Sequence, residues 1–281
     1  MPLTQVRDLH LYYETHGDGE PLVLLNGALD TIESDWAHHL PAFAARYRVL
    51  AYDHRGHGRT DNPAERFTGY DELAEDLAAL LETLGIARAR FCGFSDGAMT
   101  LLTFALRWPE RVRALVLAGA QYTNDERTLG LLDKMSPEQI EEHQPAWAAK
   151  LEQLHDTHNG RGYWKALLRQ MLPFWRVQPD FRLDQLAQIA APVLLVAGER
   201  DGFGHLDQQV AMRRAIPRSE LCIAPNAGHF VIADQPELFR LVTLDFLGRS
   251  GLSEHEHLRA RPNNPREPSP SSHPLGALGH F

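Results

Sequence analysis

Ser95 stands in the run Gly93-Phe94-Ser95-Asp96-Gly97, with an apolar stretch, Ala89-Arg90-Phe91-Cys92, before it and a helix-like stretch over residues 98–108 after it. A strand that passes directly into a helix between two glycines drives the middle residue to the tip of a sharp turn, with its hydroxyl above the sheet. A serine hydroxyl is a weak nucleophile at neutral pH and needs a base within hydrogen-bond reach. Two other segments put polar groups in the same kind of place. Residues 192–198 read as a buried strand followed at once by Glu199-Arg200-Asp201-Gly202, and Leu221-Cys222-Ile223-Ala224 is followed by Pro225-Asn226-Ala227-Gly228-His229. Ligand chemistry in open parallel sheets gathers beyond the carboxyl ends of the strands, and a serine, an aspartate and a histidine each follow such an end. His229 is the expected base, taking the Ser95 proton and returning it to the leaving group. Asp201 is the expected carboxylate that fixes the imidazole tautomer and stabilises the imidazolium. The chain has 15 histidines, and His229 is set apart by its place after the last strand-like run.

These groups work only if the elements between them deliver them to one rim. Leu9-His10-Leu11-Tyr12-Tyr13-Glu14 is strand-like, and Gly17-Asp18-Gly19 turns the chain before the apolar residues 22–25. Residues 36–47 read as one helix and 48–52 as a strand ending at Asp53. Leu73, Leu77, Leu80, Leu81 and Leu84 recur at helical spacing, with Gly85 as the stop. Pro109 ends the helix after Ser95, and residues 112–118 form the next buried strand. Strands alternating with helices require crossover connections, which predicts an α/β fold with a mostly parallel sheet flanked by helices.

The rhythm breaks over residues 121–189, which carry helical segments and no buried strand run. The predicted organisation is a core in two parts, 1–120 and 190–249, with a helical cap insertion at 121–189 and a tail at 250–281. The insertion holds Tyr122, Trp147, Tyr163, Trp164, Phe174 and Trp175. Placed over the strand ends it would confine an apolar site, with Tyr122, Trp164 and Trp175 as candidate substrate contacts. Pro268-Ser269-Pro270-Ser271-Ser272 and its surroundings lack periodicity and cannot bury a core, so the tail is expected to be disordered.

The elbow, the loop Leu24-Leu25-Asn26-Gly27 and the segment Asp53-His54-Arg55-Gly56-His57-Gly58-Arg59-Thr60 together resemble the α/β-hydrolase fold superfamily, serine-nucleophile branch, over roughly residues 5–248. The order Ser, Asp, His along the chain is the one that this family uses. The resemblance implies an oxyanion hole made of the backbone N–H groups of Asp96 and Ala28, and places Asn26 beside the substrate. Many relatives have His-Gly where this chain has Asn26-Gly27. The Ser-Asp-Gly elbow, with the residues following Gly119, is similar to the biphenyl-hydrolase-like, valacyclovir-hydrolase branch. That likeness implies Asp96 as a binder of the ammonium group of an amino-acid ester; otherwise its carboxylate simply suits a helix N-terminus.

Composition bounds the rest. At 281 residues and 43% hydrophobic, the chain fits one large α/β domain with an insertion. A net charge of −9 argues against nucleic acid or an anionic membrane as partner. No signal-like or membrane-spanning apolar run is present, and Cys92 and Cys222 read as buried, reduced residues of core strands, which points to the cytoplasm. His54 and His57 have metal-compatible spacing but lie in a Gly/Arg loop, so neither a metal nor a nucleotide cofactor is expected. The expected function is cofactor-independent hydrolysis of small or medium carboxylic esters through an acyl-serine. The same three residues serve C–C, lactone or amide cleavage, and a slow-turnover ligand receptor is the alternative outside enzymes.

Overall fold

The computed structural model describes residues 3–250; the predicted disordered tail lies outside the described residues. Eight strands form one sheet in the order β1-β2-β4-β3-β5-β6-β7-β8: β1 (Leu3–Val6), β2 (Leu9–His16), β3 (Pro21–Leu25), β4 (Arg48–Tyr52), β5 (Ala89–Phe94), β6 (Val112–Ala118), β7 (Val193–Gly198) and β8 (Ser219–Ala224). β1 and β2 pair antiparallel, β2 runs antiparallel to β4, and every other pairing is parallel.

The parallel strands are apolar on both faces because each face meets helices. Val23, Leu25, Phe91, Leu115, Leu117 and Leu195 point to one side, where α3 (Tyr70–Thr83) and α4 (Asp96–Arg107) supply Leu77, Leu80, Leu81, Leu101 and Phe104. Leu22, Leu24, Cys92, Val116 and Val196 point to the other side. There they pack with Trp36 of α1 (Ile32–Trp36) and Phe43 of α2 (Leu40–Ala44), and later Phe239 and Phe246. Each such large apolar side chain contributes about 1.5–3 kcal/mol relative to exposure.

Between β6 and β7 the elements are helical: α5 (Glu126–Leu132), α6 (Pro137–His143), α7 (Pro145–Leu151), a π-helical turn (Glu152–Asp156), α8 (Thr157–Asn159), α9 (Tyr163–Trp175) and α10 (Leu183–Leu186). Trp164, Leu167, Leu168, Met171 and Trp175 share the buried stripe of α9 and pack with Ile140 and Leu151 onto Leu29, Tyr70 and Met99. α11 (Leu206–Ala215) joins β7 to β8, and α12 (Val231–Asp234) and α13 (Pro236–Arg249) close the described chain. Among the described residues no helix is long and apolar enough to cross a membrane.

Three sequence expectations change. The single helix over 36–47 is cut down to α2, with α1 already ending at Trp36, because Pro41 has no N–H to continue a helix from Ala37 and starts α2 instead. β1 precedes the first expected strand; its turn to β2 uses Arg7 at φ 54°, without the glycine that would have announced it. Cys222 is only half-buried, because β8 is the last strand of the sheet, whereas Cys92 in β5 is fully covered.

Candidate active site

Ser95 sits between β5 and α4 at φ 50°, ψ −117°, a left-handed backbone that costs on the order of 1–3 kcal/mol for a residue other than glycine. Its neighbours explain the flanking glycines. A Cβ on Gly93 would lie 2.6 Å from Gly97 C and O, and one on Gly97 would collide with Leu25 O and come within 2.8 Å of Asn26 O. The bend therefore closes only with hydrogen at both places, and Ser95 N–H donates to Ala118 O at 2.9 Å to hold it against β6.

The loops after β7 and β8 bring the other two side chains to the same rim. His229 Nε2 is 2.9 Å from Ser95 Oγ, and His229 Nδ1 is 3.0 Å from both carboxylate oxygens of Asp201. Asp201 is buried, and its Oδ1 also accepts from Phe203 N–H at 2.8 Å and Gly204 N–H at 3.1 Å. These bonds fix the carboxylate, and a carboxylate facing Nδ1 keeps that nitrogen protonated and Nε2 free to accept from the serine. Phe94, Phe203 and Phe230 lie 5.0–5.8 Å from the imidazole by ring centroid and limit its rotation.

Ala28 and Asp96 flank the serine, and among the described residues neither backbone N–H has a hydrogen-bond partner. For Asp96 this follows from its place as the first residue of α4, where helix N–H groups are left unpaired. The Asp96 side chain is buried. Its Oδ1 accepts from Tyr70 Oη–H and its Oδ2 from Trp175 Nε1–H, both at 2.8 Å. Burial pushes its pKa up to about 6, against the pull of those two donors.

A cavity of about 640 Å³ opens above Ser95 and His229. Its wall takes Ala28, Asp96 and Trp175, together with Trp147, Tyr70, Met99, Asn124 and Phe203. Asn26, Tyr122 and Trp164 are not in that wall. Asn26 is fully buried with Nδ2 donating to Asp30 O at 2.7 Å, so it ties the loop to itself. Trp164 faces the interior of the inserted helices, where its ring is covered by their packing. Tyr122 packs against the core cluster beneath α3 and α4, because its N–H is held by Gln208 at the mouth of α11. Tyr70 was missed because the leucine spacing of α3 begins three residues after it. Asn124, which ties the chain to Trp175 O and Gln178 O, carries no periodic signal at all.

Asp53 and Arg55 organise loops. Asp53 accepts from Ile32 and Arg59 N–H, and buried Arg55 grips Asp76 and Asp8. His54 and His57 spend their ring nitrogens on backbone groups of neighbouring loops.

A model of the family described as alpha/beta hydrolase fold matches residues 20–161. The 2-hydroxy-6-oxononadienedioate/2-hydroxy-6-oxononatrienedioate hydrolase 2 of Pseudomonas putida is 30% identical over 268 residues, covering 85% of this chain and 92% of that protein. The 3-oxoadipate enol-lactonase 2 of Acinetobacter baylyi is 28% identical over 253 residues, covering 83% and 91%. Among solved structures, Est816, described as an N-acyl homoserine lactone degrading enzyme, superposes with a TM-score of 0.70 at 25% identity, covering 87% of this chain and 100% of that one.

Proposed function

The chain belongs to the α/β-hydrolase fold family, and from that premise we propose that it is a serine hydrolase of small or medium carboxylic esters and lactones. The observation that carries this is the hydrogen-bonded line from Asp201 through His229 to Ser95 at 3.0 and 2.9 Å. In this reading His229 Nε2 takes the Ser95 proton as Oγ attacks the carbonyl carbon. Asp201 stabilises the imidazolium so formed. The oxyanion is received by the N–H groups of Ala28 and Asp96, which have no competing acceptor among the described residues, and losing one such donor costs about 10²–10³ in rate. His229 then protonates the leaving group, and a water activated by the same nitrogen releases the acyl group from Ser95. Lactones enter because similar proteins are named for them, and a ring ester needs no group beyond those already placed.

The test is a panel of p-nitrophenyl esters, lactones, amides and β-diketones offered to the unmodified chain and to Ser95→Ala. Turnover of esters or lactones, reduced about 10³-fold or more by Ser95→Ala, is the expected result. Turnover confined to amides or C–C bonds would move the reading to that bond. Tight binding without turnover would make the chain a receptor.

One feature favours a narrower reading, an α-amino-acid ester as substrate. Asp96 is a buried carboxylate in the cavity wall that receives only neutral donors, Tyr70 and Trp175, and among the described residues no cation pairs with it. A substrate ammonium would supply that charge. A phenylalanine ester and its des-amino analogue should then differ in kcat/KM by about tenfold or more; equal values reject the narrower reading and leave the broader one standing.

A further inference from the structure

The loop over residues 26–30 carries the candidate oxyanion donor, and its other backbone groups are tied down in turn. Gly27 N–H donates to Asp35 Oδ2 at 2.8 Å, Asp30 N–H reaches Gly27 O at 3.3 Å, and Asn26 O accepts from His54 Nε2 at 3.1 Å. Leu29, at φ 58°, is held on both sides by imidazoles. Its N–H donates to His57 Nε2 at 3.1 Å, and its C=O accepts from His155 Nε2 at 2.9 Å.

The second nitrogen of each ring settles which form is present. His57 Nδ1 donates to Arg55 O at 2.8 Å, so Nε2 is the acceptor. His155 Nδ1 accepts from Gly58 N–H at 3.0 Å, so Nε2 carries the proton. Each ring is therefore a neutral imidazole used as one donor and one acceptor, in opposite tautomers, with centroids 5.7 Å apart and both rings buried. Burial, the largest influence, and the neighbouring ring push His57 well below the usual imidazole range, and burial lowers His155.

The two histidines come from different parts of the chain. His57 belongs to the loop after β4. His155 belongs to the inserted helices, in the π-helical turn that follows α7, where an extra residue per turn re-aims the side chain. The same stretch makes other ties to the core: Lys150 Nζ to Asp30 Oδ1 at 3.0 Å, Asn159 Nδ2 to Gly58 O at 2.8 Å, and Tyr163 Oη to Gly56 O at 3.0 Å. Of these ties from the inserted segment, the one from His155 is the one that reaches the backbone of Leu29, next to Ala28.

We propose that His57 and His155 are positioning residues for the Ala28 N–H, and that His155 makes seating of the inserted helices a condition for placing that donor. The inference rests on the serine-hydrolase reading above. Without His155 the Leu29 carbonyl is released, Leu29 keeps only its N–H bond to His57 to hold its left-handed conformation, and the adjoining Ala28 peptide is less firmly placed. An open inserted segment is then a segment without a complete oxyanion hole, so turnover waits on closure even for a substrate small enough to slip past it.

The experiment compares His155→Phe, which keeps a ring but neither hydrogen bond, with Tyr163→Phe, which cuts a tie from the same segment to a different loop. p-Nitrophenyl acetate is the probe, and circular dichroism verifies folding. His155→Phe should lower kcat about ten- to hundredfold, less than the full loss of an oxyanion donor, with KM within twofold. Tyr163→Phe should keep kcat within twofold even if its Tm falls. A folded His155→Phe with wild-type kcat, or an equal fall in Tyr163→Phe, overturns the proposal and leaves the serine-hydrolase reading intact. Absence of Ser95-dependent turnover in the unmodified chain overturns both. Hydrogen exchange on the unmodified chain supplies a measurement that needs no variant. Peptides covering residues 26–30 and 152–159 should open together under increasing urea, and a loop that stays protected while the segment exchanges overturns the coupling.

Discussion

At the rim of the sheet, Ser95, Asp201 and His229 each follow a parallel strand within a few residues, and His229 there lies within 3.0 Å of both Ser95 and Asp201. The helices between β6 and β7 work differently. Which of their side chains reach the cavity depends on what packs over each turn, so Trp175 lines it while Trp164, on the same buried stripe of α9, is sealed inside. A strand end gives a residue one place to be. A buried helix stripe leaves open which of its residues meets a cavity, and only the packed neighbours decide. Changes at the rim are therefore expected to act on the chemical step, and changes in the inserted helices on fit, closure and stability.

The largest expected effect is at the rim. Asp201→Asn keeps the shape but turns the carboxylate into an amide that no longer enforces the Nδ1–H tautomer of His229. kcat for p-nitrophenyl acetate should fall about 10⁴-fold with KM little changed, while a fall under tenfold would mean that the rim does not act through this line. A pair within α9 sharpens the contrast. Trp175→Phe removes the Nε1–H that Asp96 Oδ2 accepts in the cavity wall, and kcat/KM should drop by about three- to tenfold, a part of what a hydrogen bond to a charged group is worth. Trp164→Phe should instead cost about 1–2 kcal/mol in urea denaturation and leave kcat/KM within twofold, because its ring fills the interior of the segment. If both change activity alike, the distinction between the two ends of the buried stripe of α9 is lost.

The smallest effect separates charge from architecture. Burial holds His39 and His54 down to about 4, from the ordinary 6.5. As pH falls below 6.5 the unfolded chain takes up these protons first, so their contribution to stability is whole above 6.5 and is lost on the way to about 4. Asp53 and Asp96, pushed up to about 6 by burial, act in the opposite sense: the folded chain protonates first, which adds stability as pH falls from about 6 toward 3.8. His39 packs between Phe43 and Phe239, with Nε2 donating to Ile232 O at 3.1 Å and Nδ1 unpartnered among the described residues. His39→Leu should therefore flatten the acid limb of the urea-midpoint profile between pH 6.5 and 4 without altering kcat/KM; an unchanged slope would show that this ring is not a source of it.

What could be read from the residues follows the same division. The alternation of apolar runs with helical spacings gave the parallel sheet, and the two glycines around Ser95 gave the sharp bend, because each is a local backbone requirement. The end of one helix at Trp36 and the start of the next at Leu40 needed attention to Pro41, and β1 was hidden by a turn built on Arg7. The walls of the cavity were less legible. Tyr70 and Asn124 reach it through tertiary contacts, and the tie between His155 and Leu29 spans most of the distance between two segments that share no pattern. Asn26, standing where relatives have histidine, turned out to hold its own loop rather than to face the cavity.

The central claim is that Ser95 forms a covalent acyl intermediate. Rapid quenching of the chain with p-nitrophenyl acetate, followed by mass spectrometry of its peptides, tests it most directly. The account predicts one acetyl group on the peptide carrying Ser95, absent in Ser95→Ala and longer-lived in Asp201→Asn. Steady turnover with no acetyl on that peptide, and the same rate in Ser95→Ala, would contradict it.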